Sequence, residues 1–290
     1  MKLLTIFSEI YDFCKYQKGK ELSDREVKKS IQEGSIHESE VMTIFVWYFF
    51  SGYKTFKDYY TKHVKVYMQE EFPNAPSYTR FLELKNNALM PILLYALTRN
   101  QNEAHEGLSI VDSFPLEVCH NRRIHNHKTM KNLAKRGHTS LGFFFGLKLH
   151  VVINVYGEIC SFAITPGNVS DNNGDVLSFL TKFLQGKMYG DKGYIVNEDL
   201  YKKLYTHGIQ LITKVRKNMK SRLYTLFDAF MLRKRGTIES VGNLLKNSHN
   251  LEHTRHRSVV GFFVHVFSCL IAYSFRDKKP LIFSNNLILI

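Results

Sequence analysis

The stretch 186–215, GKMYGDKGYIVNEDLYKKLYTHGIQLITKV, decides the fold. It opens on a short strand pattern ending at Gly190-Asp191. VNEDLYKKLYTHG comes next as a helix, and Gly208 stops it. IQLITKV is the next strand. A strand–helix–strand unit implies a parallel pair, because parallel neighbours need a crossover connection. Upstream, GLSIVDSF (107–114) is a short apolar run ending in Asp112. LGFFFGLKLHVVINVYG and EICSFAITPG read as two strands joined by a turn around Tyr156-Gly157-Glu158. Strands joined by tight turns pair antiparallel. The order β-β-β-(α)-β-α-β, then helices, predicts a mixed five-stranded sheet flanked by helices, an α/β (α+β) chain.

Residues 1–100 read mainly helical. Ser35 and Glu38 form a capping-box pattern before the apolar run from Val41. Pro73 and Pro76 end the Lys- and aromatic-rich pattern of Tyr53 to Tyr67, and Ser77 caps a new helix through PSYTRFLELKN. Two helices around a short break, the second with exposed Arg80 and Lys85, fit a helix-turn-helix. A plain helical bundle fits the same signal. The chain divides at this level into a helical region 1–100, a catalytic domain 101–280 and a tail 281–290.

The 290 residues suffice for one large or two medium domains, and 44% hydrophobic content supports a sizeable core. The net charge of +14 and pI near 9.5 favour a polyanionic partner, nucleic acid ahead of an anionic membrane. Residues 1–100 hold 14 basic and 12 acidic side chains, whereas 101–290 hold 26 and 14. The basic excess therefore shares the second part of the chain with the candidate acids; a merely solvated basic face is the plainer alternative. Cys14, Cys119, Cys160 and Cys269 form no CxxC pair, which argues against a zinc ribbon or disulfide framework and suits a reducing cytoplasm. No basic segment leads into an apolar signal core at the N-terminus. The apolar windows 41–50 and 259–275 read as buried helices rather than membrane spans, which need about 20 apolar residues.

The chemistry centres on FMLRKRGTIESVGNLLK (230–246). On one helix of about 3.6 residues per turn, Arg235, Glu239 and Lys246 share a face. A carboxylate flanked by two cations suits a divalent metal beside a phosphodiester. Asp112 and Asp191 each come after a strand pattern, and acids at strand ends converge at a sheet edge that a later helix can cross. Phosphodiester cleavage needs such a cluster because attacking and leaving oxygens both develop charge; two Mg²⁺ ions about 3.5–4 Å apart stabilise both. Taken singly, each Asp reads as well as a turn or cap residue.

These residues resemble a family: bacterial insertion-sequence transposases of the DDE type, with an RNase H-like catalytic domain. The resemblance rests on VDSFPLEVC around Asp112, GFFFGLKLH and then TPGNVSDN, YGDKGY around Asp191 and RGTIESVGNLLK around Glu239. It is nearest to the insertion-sequence family numbered nine-eighty-two, and the last motif is similar to the R-x3-E-x6-K core of the related insertion-sequence-four group. That group has a tyrosine three residues before the arginine; Leu232 stands there in this chain. The resemblance implies Mg²⁺-dependent hydrolysis at the terminal inverted repeats (Mn²⁺ substituting), then attack of the freed 3′-OH on target DNA. Asp112 would bridge two metals, Asp191 and Glu239 would each hold one, and Arg235 and Lys246 would contact phosphates. A homo-oligomer on double-stranded DNA, in the bacterial cytoplasm at the nucleoid, is implied by the same job.

Two basic runs support a DNA track. Residues 119–138, with Arg122 and Arg123, read as a connection between the first two strands; residues 214–235, with Lys217 and Lys220, lead into the Glu239 helix. His120, His125 and His127 match no common zinc spacing. Asp171 reads as a turn or helix-capping residue, structural or supporting the metal acids from behind. Lys148 and His150 alternate with apolar neighbours, so they share one sheet face. Three rival readings remain: an RNase H-like nuclease without strand transfer, an inactive DNA-binding copy, and a phosphoesterase for small substrates, which the basic runs disfavour.

Overall fold

The computed structural model describes residues 2–24, 35–101, 107–139, 142–215, 223–252 and 256–283. Five helices come first: α1 (Lys2–Asp24), α2 (Glu38–Trp47), α3 (Phe56–Tyr59), α4 (Lys65–Tyr67) and α5 (Tyr78–Gln101). Then come β1 (Leu108–Cys119), β2 (Lys135–Thr139), β3 (Gly142–Asn154), β4 (Ile159–Pro166), α6 (Gly174–Leu180), β5 (Gly186–Gly190), α7 (Glu198–Thr206) and β6 (Ile209–Thr213). The helices α8 (Leu226–Lys234), α9 (Thr237–Asn243) and α10 (Val259–Ser274) complete the order.

These elements form two compact units. The first comprises 1–96 with 248–251 and 257–275; the second comprises 97–247, 252–256 and 276–290. Within the first unit α10 packs with α2. Both apolar windows are buried helices: Val41 to Val46 is buried on every side, as is Val266 to Tyr273. No helix among the described residues is long and apolar enough to cross a membrane. Aromatic rings lock this unit, with Tyr60 and Phe81 centroids 4.5 Å apart and Phe45 and Phe81 5.1 Å apart. The cap of α2 lies two residues later than the SIHE pattern suggests. His37 is the N-cap, its side chain accepting from Ser39 N, and Glu40 closes the box by accepting from His37 N at 2.6 Å. Helical segments do flank the break at Pro73 and Pro76, and Phe81 N bonds to Ser77 O at the start of α5.

The second unit is a curled mixed sheet flanked by helices, the RNase H-like arrangement. Its order is β2-β3-β1-β5-β6, with β4 also pairing β3. β1 runs antiparallel to β3 and parallel to β5, and β5 parallel to β6. The crossover between β5 and β6 is α7, which Asn197 caps and Gly208 (φ +86°) ends. The β3–β4 turn closes through Gly157, whose φ of +73° favours a residue without Cβ. The core lies between the sheet and α6–α7: Val111, Val152, Leu177, Leu180, Met188, Tyr194, Leu204 and Ile209 are buried together. Each large aliphatic among them contributes about 1.5–3 kcal/mol by leaving water.

Six strands replace the expected five. The extra one, β2, lies inside the basic connection, where Lys135-Arg136-Gly137-His138-Thr139 has no apolar alternation to reveal it; it pairs with Gly142–Gly146 of β3. β1 does not end near Asp112 but continues to Cys119. Pro115 hides that continuation, since a proline inside a run argues against a strand. The single helix expected over 230–246 is two helices and a π turn. Arg235 and Gly236 join α8 to α9 through tight bonds, Ile238 N to Arg235 O and Glu239 N to Gly236 O, and Leu244–Ser248 is a π turn. Glycine's low helix propensity accounts for the joint.

Candidate active site

Asp112 sits midway along β1, opposite Val151 of β3. Its side chain is 17% exposed. Oδ1 accepts from Ser113 N at 2.8 Å and Oδ2 from Arg235 Nη1 at 3.1 Å. Burial pushes its carboxyl up to about 6; the charges of Asp191 and Asp171 push the same way, against Ser113 N–H and Arg235.

Asp191 comes directly after β5. The parallel register pairs Ile110 with Tyr189, and carried two residues further it sets Asp191 beside Asp112. Asp191 caps the short turn Lys192–Tyr194, its Oδ1 accepting from Gly193 N at 2.7 Å. The Tyr194 phenol lies behind this corner, fully buried. Burial first, then the charges of Asp171, Asp112 and Asp191, holds it well above the ordinary tyrosine range.

Glu239 reaches the site from α9. Gly242, on the same helix, faces the Phe114 ring of β1 so closely that a Cβ there would lie 2.4 Å from it. Phe114 stands two residues after Asp112 and shares its face. Glycine at 242 therefore lets α9 press against β1 where Asp112 emerges. Glu239 remains 60% exposed, and its Oε1 accepts from Arg235 Nη2 at 3.0 Å. One guanidinium thus spans Asp112 and Glu239. Among the described residues no three His, Cys, Asp or Glu side chains lie close enough together to hold a metal ion. Arg235 joins the first and third acids.

The charge around Asp112 nevertheless suits a hard divalent cation: it feels the negative charges of Asp191 and Asp171, and Arg235 is the cation that contacts it. Carboxylate oxygens are the ligands Mg²⁺ prefers.

The structure draws in residues that sequence reading left to one side. Asn173, not Asp171, caps α6. Asp171 Oδ1 instead accepts from Ser113 Oγ at 2.7 Å and from Lys148 Nζ at 3.0 Å. Lys148 and His150 do share a face; the ring of His150 is fully buried, Nε2 lies 2.9 Å from Thr165 Oγ1, and burial lowers its pKa to about 4. Ser113 carried no signal of its own beyond its place after Asp112.

The basic residues divide. Lys246 is 24% exposed and pairs with Glu252 at 3.3 Å, not with Glu239. Arg122 and Arg123 are exposed on the 3₁₀ turn Asn121–Asn126. His120 and His127 serve their own backbone, accepting from Arg122 N and Met130 N. Lys217 and Lys220 lie outside the described residues. Leu232, where the related group has a tyrosine, is buried in the core.

A curled RNase H-like sheet with one acid on β1, one directly after the adjacent parallel strand β5 and one on a later helix defines the class of fold. A family model described as a transposase DDE domain matches residues 102–259, and the chain belongs to that family. No curated protein matches the sequence.

Proposed function

We propose that this chain is the transposase of an insertion sequence. It binds the terminal inverted repeats, cleaves phosphodiester bonds there and transfers the 3′-OH ends to target DNA. The observation that carries the reading is the convergence on one corner of Asp112, Asp191 and, through Arg235, Glu239, in a chain of the DDE transposase family. The sequence motifs favour the insertion-sequence family numbered nine-eighty-two, related to the insertion-sequence-four group.

Asp112, Asp191 and Glu239 are the residues to hold two Mg²⁺ ions, with Mn²⁺ as a substitute. Bound there, the metals would activate water and stabilise charge on the attacking and leaving oxygens. The protein's own part is positional. Asp112 stands on β1 and Asp191 directly after the neighbouring β5, held by its bond from Gly193 N, whereas Glu239 is exposed and able to turn from Arg235 towards the aspartates. Arg235, once released, is left beside the scissile phosphate. Lys246 contacts phosphate by giving up Glu252, a partly exposed pair that costs little to open. Arg122, Arg123, Lys217 and Lys220 extend the phosphate track. The helical region 1–100 supplies further DNA binding ahead of the catalytic domain 101–280 and the tail 281–290. A homo-oligomer in the cytoplasm, at the nucleoid, brings two ends together.

The test is incubation of the protein with linear DNA bearing the element's ends, in Mg²⁺ and in EDTA. Strand-specific nicks at the ends and joined products, lost in EDTA and in Glu239→Gln, are expected. Cleavage with no preference for the ends would replace transposition by general nuclease activity. Binding without cleavage would mark an inactive copy.

A further inference from the structure

We propose that Asp171 is a positioning residue for the active site, a fourth carboxylate that fixes Asp112 through Ser113 and faces the turn that carries Asp191, with Lys148 as its counter-ion. The inference rests on the metal-dependent reading above and adds residues to which that reading gives no task.

Four side-chain bonds tie the loop 167–173 to neighbouring elements. Lys148 Nζ donates to Val169 O at 2.8 Å and to Asp171 Oδ1 at 3.0 Å. Ser113 Oγ donates to the same Oδ1 at 2.7 Å. Asn172 Nδ2 donates to Ile195 O at 2.9 Å, tying the loop to the chain just after Asp191. Ser113 in turn gives its backbone N–H to Asp112. Asp112 and Asp171 are thus two ends of one short path through a single serine.

Both bonds to Asp171 fall on Oδ1. Oδ2 faces the Gly193 turn: a Cβ built on Gly193 would lie 3.2 Å from it and 2.9 Å from Asp191 Oδ1. The two carboxylates therefore flank one glycine, and any side chain there would push them apart. The Lys148 side chain is 11% exposed, so an ammonium with few routes to water is spent on this one carboxylate. With Asp171 29% exposed the pair is only partly buried, and such a pair is weak evidence for stability alone, since well-packed apolar residues often do as well. Groups that orient metal-binding side chains from behind typically change metal affinity or activity about 10–100-fold when removed.

The charge-neutral double variant Asp171→Asn, Lys148→Met separates this role from a structural one. It leaves no buried charge unpaired and no change in net local charge. Mn²⁺ binding to the full chain, free of DNA, is measured by calorimetry for the parent, for this double variant and for Asp112→Asn, with thermal melting alongside. The double variant is expected to melt close to the parent and to bind Mn²⁺ about tenfold more weakly or worse. Ser113→Ala, which removes the link without touching a charge, is expected to weaken binding in the same sense, and Ser113→Thr to restore it. Parental Mn²⁺ affinity in a folded double variant, or in Ser113→Ala should the double variant fail to fold, would overturn the inference. If the parent itself bound no Mn²⁺, or Asp112→Asn bound it equally well, the metal-dependent reading would fall and the inference with it.

Discussion

Arg235 and Asp112, 123 residues apart in sequence, meet at 3.1 Å, Nη1 to Oδ2. The other arm of the same guanidinium holds Glu239. A cation here does for two of the acids what a metal would do for all three. The arrangement results from the α8–α9 joint, because Arg235 ends one helix and Glu239 lies four residues on, in the next.

Arg235→Gln removes that cation and leaves the largely buried Asp112 facing Asp191 and Asp171. The metal-free protein is expected to lose about 1–3 kcal/mol, less than a fully buried pair because Glu239 is exposed. Mg²⁺ should then raise the melting temperature of the variant more than that of the parent, as it no longer competes with the guanidinium. Equal shifts in thermal melts with and without Mg²⁺ would contradict the exchange.

Asp112 titrates above its ordinary range, at about 6. A raised carboxyl favours folding while it is protonated, so its contribution is whole below the unfolded value near 4 and is lost as pH rises through 6. Asp112→Asn cannot ionise. Its stability advantage over the parent, measured by urea unfolding in EDTA, should be near zero at pH 4, grow to pH 6–7 and then level off. An advantage independent of pH would show that Asp112 is not buried as described.

Gly242→Ala tests how Glu239 is delivered. The new methyl meets the Phe114 ring, so α9 must move away from β1. Overpacking of this kind costs about 1–3 kcal/mol. DNA cleavage should fall along with stability, and a second change, Phe114→Leu, should recover both. A variant with parental melting and cleavage would mean that α9 does not depend on this contact.

Arg122→Gln with Arg123→Gln removes two exposed cations. If both neutralise phosphates, the slope of log affinity against log salt should shrink by about 0.9 for each. An unchanged slope in a salt titration would place these arginines off the DNA.

Much of the fold is readable from residues 186–215, where strand, helix, glycine stop and strand come in order and fix the parallel pair. The place of Asp191 after a strand is legible because that strand is short and ends at Gly190. The sequence sets Asp112 at a strand end, whereas its strand runs on past Pro115. β2 escaped because an exposed, basic edge strand has no apolar period. The bridge from Arg235 to Asp112 was not legible: spacing told that Arg235 faces Glu239, but not that Gly242 would bring their helix onto β1. The single helix that aligns Lys246 with Glu239 is not what forms, since the break at Gly236 and the π turn change the helical phase. For Asp171 the sequence leaves a turn or cap role and a supporting role side by side; only tertiary structure sets it against Ser113 and Lys148.

In the proposed function Asp112, Asp191 and Glu239 close around metal once Arg235 lets go. Anomalous diffraction from crystals of the full chain soaked in Mn²⁺ tests this. Manganese is expected on Asp112 and Asp191, with Arg235 displaced from Asp112 and Glu239 turned towards the metal. Manganese found only elsewhere, or an intact Asp112–Arg235 pair at saturating Mn²⁺, would contradict it.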